Sequence, residues 1–155
     1  MLRTRLSSDL KEAMKSKDMV RVSTLRLICA AIKDRDIDAR AAECEEAGCE
    51  GVTESEIRAI LTRMIKQRRD SARSYEEGGR PELAAQERAE IAVIQTYLPK
   101  QLSEAEVQRA VASAIVETGA SSVRDMGRVM AHLKARHTGQ MDFAKAGACL
   151  KEAFR

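Results

Sequence analysis

The sequence is poor in the residues that favour β-strands and stacking surfaces. It contains no tryptophan, two tyrosines and two phenylalanines among 155 residues. Strands favour aromatic and β-branched residues, whereas this chain is rich in Ala, Glu, Arg, Leu and Met, which are strong helix formers. We therefore expect an all-α fold. So few aromatic residues also argue against a base-stacking platform for single-stranded nucleic acid.

Long apolar runs are missing as well. The first residues lack the apolar region of a secretory signal peptide, and no uncharged stretch approaches the length that spans a bilayer. Cys44 and Cys49 lie in an acidic segment without a nearby histidine, so a metal site or disulfide has little support there. We expect a cytoplasmic protein that binds no membrane and no metal, and nothing in the sequence indicates a cofactor.

Apolar periodicity and capping signals divide the chain into seven helices. Helical spacing predicts helices over about 2–15, 82–96, 104–118 and 123–136, and caps at Asp18, Thr53 and Asp142 open three more that end near 40, 77 and 153. Residues 41–52 are acidic and glycine-punctuated and predict a mobile loop. Pro99 suggests a boundary between a four-helix bundle at 1–98 and a three-helix unit at 99–155.

The excess positive charge lies entirely in the second of these units. Residues 1–98 carry 18 basic and 18 acidic side chains, whereas residues 99–155 carry nine and six. This asymmetry points to an anionic partner for residues 99–155. The candidate phosphate contacts there are Arg128, Lys134, Arg136, Lys145 and Lys151.

A second group of cations follows one face of the third helix. Lys66, Arg69 and Arg73 fall nearly in one row with Arg58. Closely spaced cations release condensed counterions when they bind a polyanion, so this row could act as a phosphate-binding rail. A solvated helix face is the other interpretation, and the more usual one for a run of charges.

Two charged residues fall on apolar helix faces instead. Arg68 projects from the apolar face of the third helix, and Glu87 lies at the centre of the apolar stripe of the fourth. A buried guanidinium or carboxylate is costly without a partner. We predict that Arg68 pairs with Glu87 or with Glu90, chiefly in a structural role that fixes the register of the two helices.

No catalytic constellation is visible. His132 and His137 are five residues apart, which places them on diverging helix faces and argues against a shared metal. The sequence contains no nucleophile elbow, phosphate loop or dinucleotide fingerprint. Gly127 lies inside the sixth helix and predicts close approach by a neighbouring helix or, alternatively, by a ligand backbone.

Several segments resemble the YqeY-like, or GatB/YqeY, family. The run from Met126 to Lys134, followed by Gly139, is similar to the C-terminal signature of that family, although Ala131 and Phe143 stand where glycine is frequent. Further similar segments are 23–28, 66–71, 78–80, 86–87 and 90–102. The resemblance implies an all-helical protein whose C-terminal part is similar to the tail domain of GatB, a subunit of glutamine-dependent aminoacyl-tRNA amidotransferase that helps to hold tRNA.

Three functional hypotheses follow from the residues and the resemblance together. The first is a tRNA-binding accessory protein without an active site of its own, working beside amidotransferase or synthetase components. The second is a helical adaptor that binds a protein and no nucleic acid. The third, implied by the resemblance alone, is a component of an assembly with carbon–nitrogen ligase activity that uses glutamine as amide donor.

Overall fold

The computed structural model describes residues 1–42 and 51–155, and the all-α prediction is confirmed there, since no strand occurs in these ranges. The elements are α1 (Leu2–Ser16), α2 (Met19–Ala42), α3 (Glu54–Glu77), α4 (Pro81–Gln95), α5 (Glu104–Thr118), a short 3₁₀ turn (Val123–Asp125), α6 (Met126–His137) and α7 (Phe143–Ala153). Most of the predicted loop, including Cys44 and Cys49, lies outside the described residues. No helix in the described ranges has the length and apolar character needed to span a membrane.

The chain divides into two compact units, Met1–Leu98 and Pro99–Arg155. In the first unit, α3 and α4 pack most extensively, and α1 and α2 complete the bundle. Leu6, Leu25, Ile28, Leu61 and Ile94 are fully buried in its core. In the second unit, α5, α6 and α7 pack against one another around a separate core that contains Val111, Ala114, Val129, Leu133 and Leu150.

Local hydrogen bonds explain where the helices begin. At the start of α3, the Glu56 N–H donates to Thr53 Oγ1 and the Thr53 N–H donates to Glu56 Oε2 at 2.8 Å. Ser103 and Glu106 repeat the arrangement at the start of α5. Each pair satisfies backbone donors that a helix start leaves without partners, which confirms both predicted capping boxes.

The turn between α3 and α4 depends on the backbone of Gly79. This residue has a φ of +71°, a left-handed conformation that glycine adopts without steric cost. The Arg80 N–H donates to the Tyr75 carbonyl at 2.8 Å, and the Gly79 N–H donates to the Glu76 carbonyl at 3.1 Å. These two bonds close α3, and Pro81 opens α4 as its first residue, so the two helices form an antiparallel hairpin.

The buried ion pair of this hairpin joins Arg68 to Glu90, the second of the two predicted partners, and not to Glu87. Arg68 Nε donates to Glu90 Oε2 at 2.8 Å, and Arg68 Nη1 donates to the Met64 carbonyl at 3.4 Å. The Arg68 and Glu90 side chains are only 11% and 13% exposed. Glu87 and Glu90 lie on adjacent turns of α4, and the packing of α3 on α4 brings the second of them to Arg68. The partner is therefore Glu90. The contact is a single ionic hydrogen bond from Arg68 Nε and not a bidentate pair.

A second buried carboxylate was not found from the sequence. Asp36 accepts two hydrogen bonds from the Arg3 guanidinium, at 2.8 and 2.9 Å, and a third from the Val52 N–H at 2.8 Å. These donors lower the pKa of Asp36 to about 2, with Arg3 the main cause. Asp36 therefore ties α1 and α2 to the segment before α3. Its position four residues after Ile32, in line with the apolar stripe of α2, is a signal that could have identified it.

Gly127 does not have the close neighbour that the sequence predicted. Among the described residues, no atom of a neighbouring element lies within 4 Å of a Cβ placed on Gly127, so the expectation of a helix packed against it is wrong. The residue is exposed near the start of α6. The alternative, close approach by the backbone of a ligand, stays a prediction.

Candidate nucleic-acid interface

The five basic residues predicted in the second unit are all exposed. Two of them already have acidic partners. Arg128 lies 3.3 Å from Asp125, and Arg136 Nη1 lies 3.0 and 2.9 Å from the two oxygens of Glu117. The three lysines, at positions 134, 145 and 151, form no ion pair with any residue that the structure describes. These lysines therefore contribute uncompensated positive charge to this unit.

The five residues do not share a single face. Arg128 and Arg136 are eight residues apart and lie along the same side of α6. Lys134 is about 160° around the helix from Arg136 at 3.6 residues per turn. Lys145 and Lys151 are separated by about 120° around α7 on the same geometry. The predicted contacts therefore surround the two helices instead of forming one row.

Three of the six acidic residues of the second unit accept hydrogen bonds from nearby backbone N–H groups. The Ser103 N–H donates to Glu106 and lowers the pKa of that carboxyl, and the Ser121 N–H does the same for Asp125. Asp142 accepts a hydrogen bond from the Ala144 N–H at 2.9 Å at the start of α7, as its predicted cap role requires. These carboxylates stabilise helix starts rather than neutralising the lysines of α6 and α7.

A groove of about 290 Å³ lies between α5 and α6 and gathers four basic side chains. Arg109 and Ser113 line it from α5, and His132, Arg136 and His137 line it from α6. The alanines at 110 and 114 and Leu133 form the rest of its wall. Sequence reasoning named only Arg136 among these as a phosphate contact.

The signal for the groove was present in the spacing. Arg109, Ser113 and Glu117 follow one another every four residues on α5, and His132 and Arg136 do so on α6, so each set shares one helix side. The two histidines have separate partners. His132 Nε2 lies 2.9 Å from Glu117 Oε2, and His137 Nδ1 lies 3.0 Å from Gln140 Oε1. In the described ranges no cluster of three or more His, Cys, Asp or Glu residues is arranged to hold a metal ion.

The predicted rail on α3 is exposed in the first unit. Lys66, Arg69 and Arg73 lie on successive turns and form no ion pair within residues 1–42 and 51–155. Arg58, at the start of the same row, pairs with Glu54 at 3.5 Å. Both interpretations of the row, a phosphate rail and a solvated face, are compatible with this placement.

A larger groove of about 570 Å³ lies between α2 and α3 of the first unit. Its rim carries Asp34, Asp38 and Glu56 together with Arg35 and Arg63, and Arg35 lies 3.7 Å from Glu56. Charges of both signs alternate around this groove, so its electrostatics do not select an anion. The groove between α5 and α6 differs, because the ionisable residues that line it are all basic.

The chain is similar to proteins named altered inheritance of mitochondria protein 41, mitochondrial. It is 37% identical over 93 residues to the one from Vanderwaltozyma polyspora, which covers 60% of this chain and 46% of the relative. With that from Lachancea thermotolerans it is 32% identical over 114 residues, covering 72% and 57%. With that from Pyrenophora tritici-repentis it is 31% identical over 138 residues, covering 85% and 71%. The chain spans about half the length of the first two relatives.

These names contradict the predicted cytoplasmic location, because the relatives are named as mitochondrial proteins. The prediction was wrong because it treated the lack of an apolar segment as a sign of the cytoplasm. An apolar segment marks secretion, whereas mitochondrial targeting segments are amphipathic and arginine-rich. The absence of the first therefore says nothing about the second.

The family assignment comes from the whole length of the chain. The family model described as YqeY-like protein matches residues 3–154, which include all the helices described above except the first residue of α1. The resemblance seen in the sequence segments and the relative that aligns over 138 residues agree with this match. The chain belongs to the YqeY-like protein family.

Proposed function

We propose that this chain is a tRNA-binding accessory protein that holds the phosphate backbone through the basic side chains of its second unit. The observation that carries the proposal is the exposure of the three lysines at 134, 145 and 151, without ion pairs among the described residues, while nearby acids are engaged at helix starts. Ammonium groups that are not compensated within the protein can replace the counterions condensed on a polyanion.

The arrangement suits recognition of shape rather than of sequence. Contacts to phosphate position a nucleic acid without reading its bases. With two tyrosines, two phenylalanines and no tryptophan, the chain has little surface on which unpaired bases could stack. Basic groups distributed around α6 and α7 fit a folded RNA whose backbone curves over the protein. The relatives' names concern mitochondria and mention no nucleic acid, so the proposal depends on the charge distribution and on the resemblance to the GatB tail domain.

Within this proposal, the chain presents tRNA to partner proteins, and these proteins carry out glutamine-dependent amidotransfer. Glutamine hydrolysis needs an activated nucleophile with a base. Burial raises the pKa of the Cys29 thiol, which makes its thiolate scarce. The proposal assigns the carbon–nitrogen chemistry to the partners and gives this chain the role of holding tRNA.

A second candidate function is that of a protein-binding adaptor. It is favoured by exposed apolar side chains on α2, where Met19 is 71% exposed, Leu27 50% and Ile37 62%. These three residues lie eight and ten positions apart along α2, so each would be a separate contact point for a protein partner rather than part of one apolar patch. An adaptor without an RNA ligand would bind tRNA no better than an unrelated neutral protein does.

The test measures binding of a labelled tRNA to the full chain by filter retention at low salt. We expect Lys134→Gln, Lys145→Gln and Lys151→Gln each to weaken binding about 2- to 5-fold, because each removes one phosphate contact. Lys11→Gln, an exposed lysine of α1, is the matched control and should bind like the wild type. A triple lysine variant that binds tRNA as tightly as the wild type would overturn the proposal, and a wild type that does not bind would leave the adaptor.

A further inference from the structure

We propose that the groove between α5 and α6 is a phosphate-binding pocket in which Arg109, Arg136 and His132 grip one phosphate group. This inference deepens the proposed function and rests on it for the natural ligand, an RNA phosphodiester. Phosphate binding itself can be measured without RNA.

The donors of the groove already converge on an anion. Arg136 Nη1 contacts both oxygens of the Glu117 carboxylate at 3.0 and 2.9 Å, and His132 Nε2 contacts Oε2 at 2.9 Å. A carboxylate oxygen only accepts hydrogen bonds, so His132 carries its proton on Nε2. Guanidinium and imidazole N–H groups that hold a carboxylate in this way match the acceptor geometry of a phosphate.

The charge of the groove leaves room for a further anion. Arg109 enters it from α5 and forms no ion pair in the described part of the chain. Its acidic neighbour one turn earlier, Glu106, is engaged by the Ser103 N–H. Two guanidinium groups therefore line the groove, and only that of Arg136 is paired with a carboxylate among the described residues, which leaves the positive charge of Arg109 available to a further anion.

The size and lining of the groove fit a phosphate group as well. Short side chains at Ala110, Ser113 and Ala114 keep the α5 wall open, and the Ser113 hydroxyl adds a donor that is exposed on the same side. His137 lines the other end, where its Nδ1 is held by Gln140 Oε1 at 3.0 Å. The side chains that edge the groove thus include donors from Arg109, Arg136 and Ser113, and none of the described residues that line it carries a carboxylate.

Glu117 acts in this account as an internal competitor for the phosphate. A phosphate that binds Arg136 and His132 must displace the Glu117 carboxylate or share its donors. The proposal therefore makes two predictions of opposite sign. Removing a cation weakens phosphate binding, whereas removing the charge of Glu117 strengthens it. A groove that is merely a solvated surface would show neither effect.

The experiment titrates the full chain with inorganic phosphate at constant ionic strength and follows the ring signals of His132 and His137 by NMR. We expect saturable shifts in the wild type, at least about 5-fold weaker binding for Arg109→Gln and tighter binding for Glu117→Gln. Arg124→Gln removes the same charge in the 3₁₀ turn before α6, outside the groove, and is the matched control that should bind like the wild type. Shifts that do not saturate, or that respond equally to Arg109→Gln and Arg124→Gln, would overturn the pocket.

A second arm with labelled tRNA separates this inference from the proposed function. Arg109→Gln should weaken tRNA binding about as much as it weakens phosphate binding. If tRNA binds through the lysines while Arg109→Gln and Glu117→Gln leave both ligands unaffected, the pocket is refuted and the proposed function stands. If phosphate saturates the groove but tRNA does not bind, the pocket stands and the tRNA function is refuted.

Discussion

The charged groups of Asp36 and Arg68 are largely buried, and each has more than one hydrogen-bond partner. Asp36 accepts from Arg3 and from the Val52 N–H, and Arg68 donates to Glu90 and to a backbone carbonyl. Multiple partners matter because a buried charge with an unsatisfied lone pair or N–H loses the hydration that it had in water. At the scale of single residues, this requirement decides which charges can leave the surface.

The Asp36 contact predicts a defined dependence of stability on pH. The pKa of Asp36 is about 2 in the folded chain, below its ordinary value of 3.8, so its contribution is fully present above pH 4 and is lost as the pH falls towards 2. We expect Asp36→Asn to lower the free energy of unfolding by about 2 kcal/mol at pH 7. Chemical denaturation at pH 7 and at pH 2.5 measures this difference.

Asp38→Asn is the matched control, since Asp38 is an exposed aspartate on the same helix. Its effect at pH 7 should stay within about 0.5 kcal/mol. A loss for Asp36→Asn that persists unchanged at pH 2.5 would show that packing, not the charge, is responsible.

Sequence reasoning found the buried Arg68 and limited its partner to Glu87 or Glu90, but it did not identify which of the two pairs with it. A charge on an apolar face is visible in one helix, whereas its partner depends on the register between two helices. Glu87 and Glu90 are neighbours on adjacent turns of α4, and periodicity does not separate them. Asp36 was missed for a related reason, because its partner Arg3 lies 33 residues away and nothing local links the two.

At the scale of the elements, local chemistry determines where most helices begin. The caps at Thr53 and Ser103 involve residues within three positions of each other, so their sequence pattern was sufficient to predict them. The start of α6 was predicted less well. A 3₁₀ turn over Val123–Asp125 precedes the α-helix, which begins at Met126, and the difference between these two hydrogen-bond patterns depends on packing.

Replacing glycine by alanine should change the stability of the chain in opposite directions at two positions. In the part of the chain that the structure describes, neither Gly79 nor Gly127 has an atom of a neighbouring element within 4 Å of an added Cβ, so contacts with other elements do not distinguish them. Gly79 has a φ of +71°, and Gly79→Ala should cost about 1 kcal/mol because alanine disfavours that conformation. Gly127 lies inside α6, and Gly127→Ala should stabilise the chain by about 0.5–1 kcal/mol.

Thermal denaturation of the two variants beside the wild type measures both effects. The melting temperature should fall for Gly79→Ala and rise for Gly127→Ala. A fall in both would mean that Gly127 makes a contact which the helix geometry does not show.

At the scale of the whole molecule, the exposure of the basic residues could be predicted from the sequence, whereas the groove between α5 and α6 could not. Exposure of the lysines on α6 and α7 follows from the apolar stripes of those helices, which are readable in the sequence. The groove between α5 and α6 requires two helices to be packed in register, which brings Glu117 next to His132 and Arg136. The spacing of residues along each helix was visible, but the pairing across helices was not.

Binding of tRNA phosphates by the basic side chains of the second unit is the claim on which the other functional statements depend. The most direct test is the salt dependence of tRNA binding to the full chain, plotted as the logarithm of the association constant against that of the salt concentration. Three or more phosphate contacts predict a straight line with a slope of about −2 to −4. A slope near zero, or no binding at about 50 mM salt, would contradict the account.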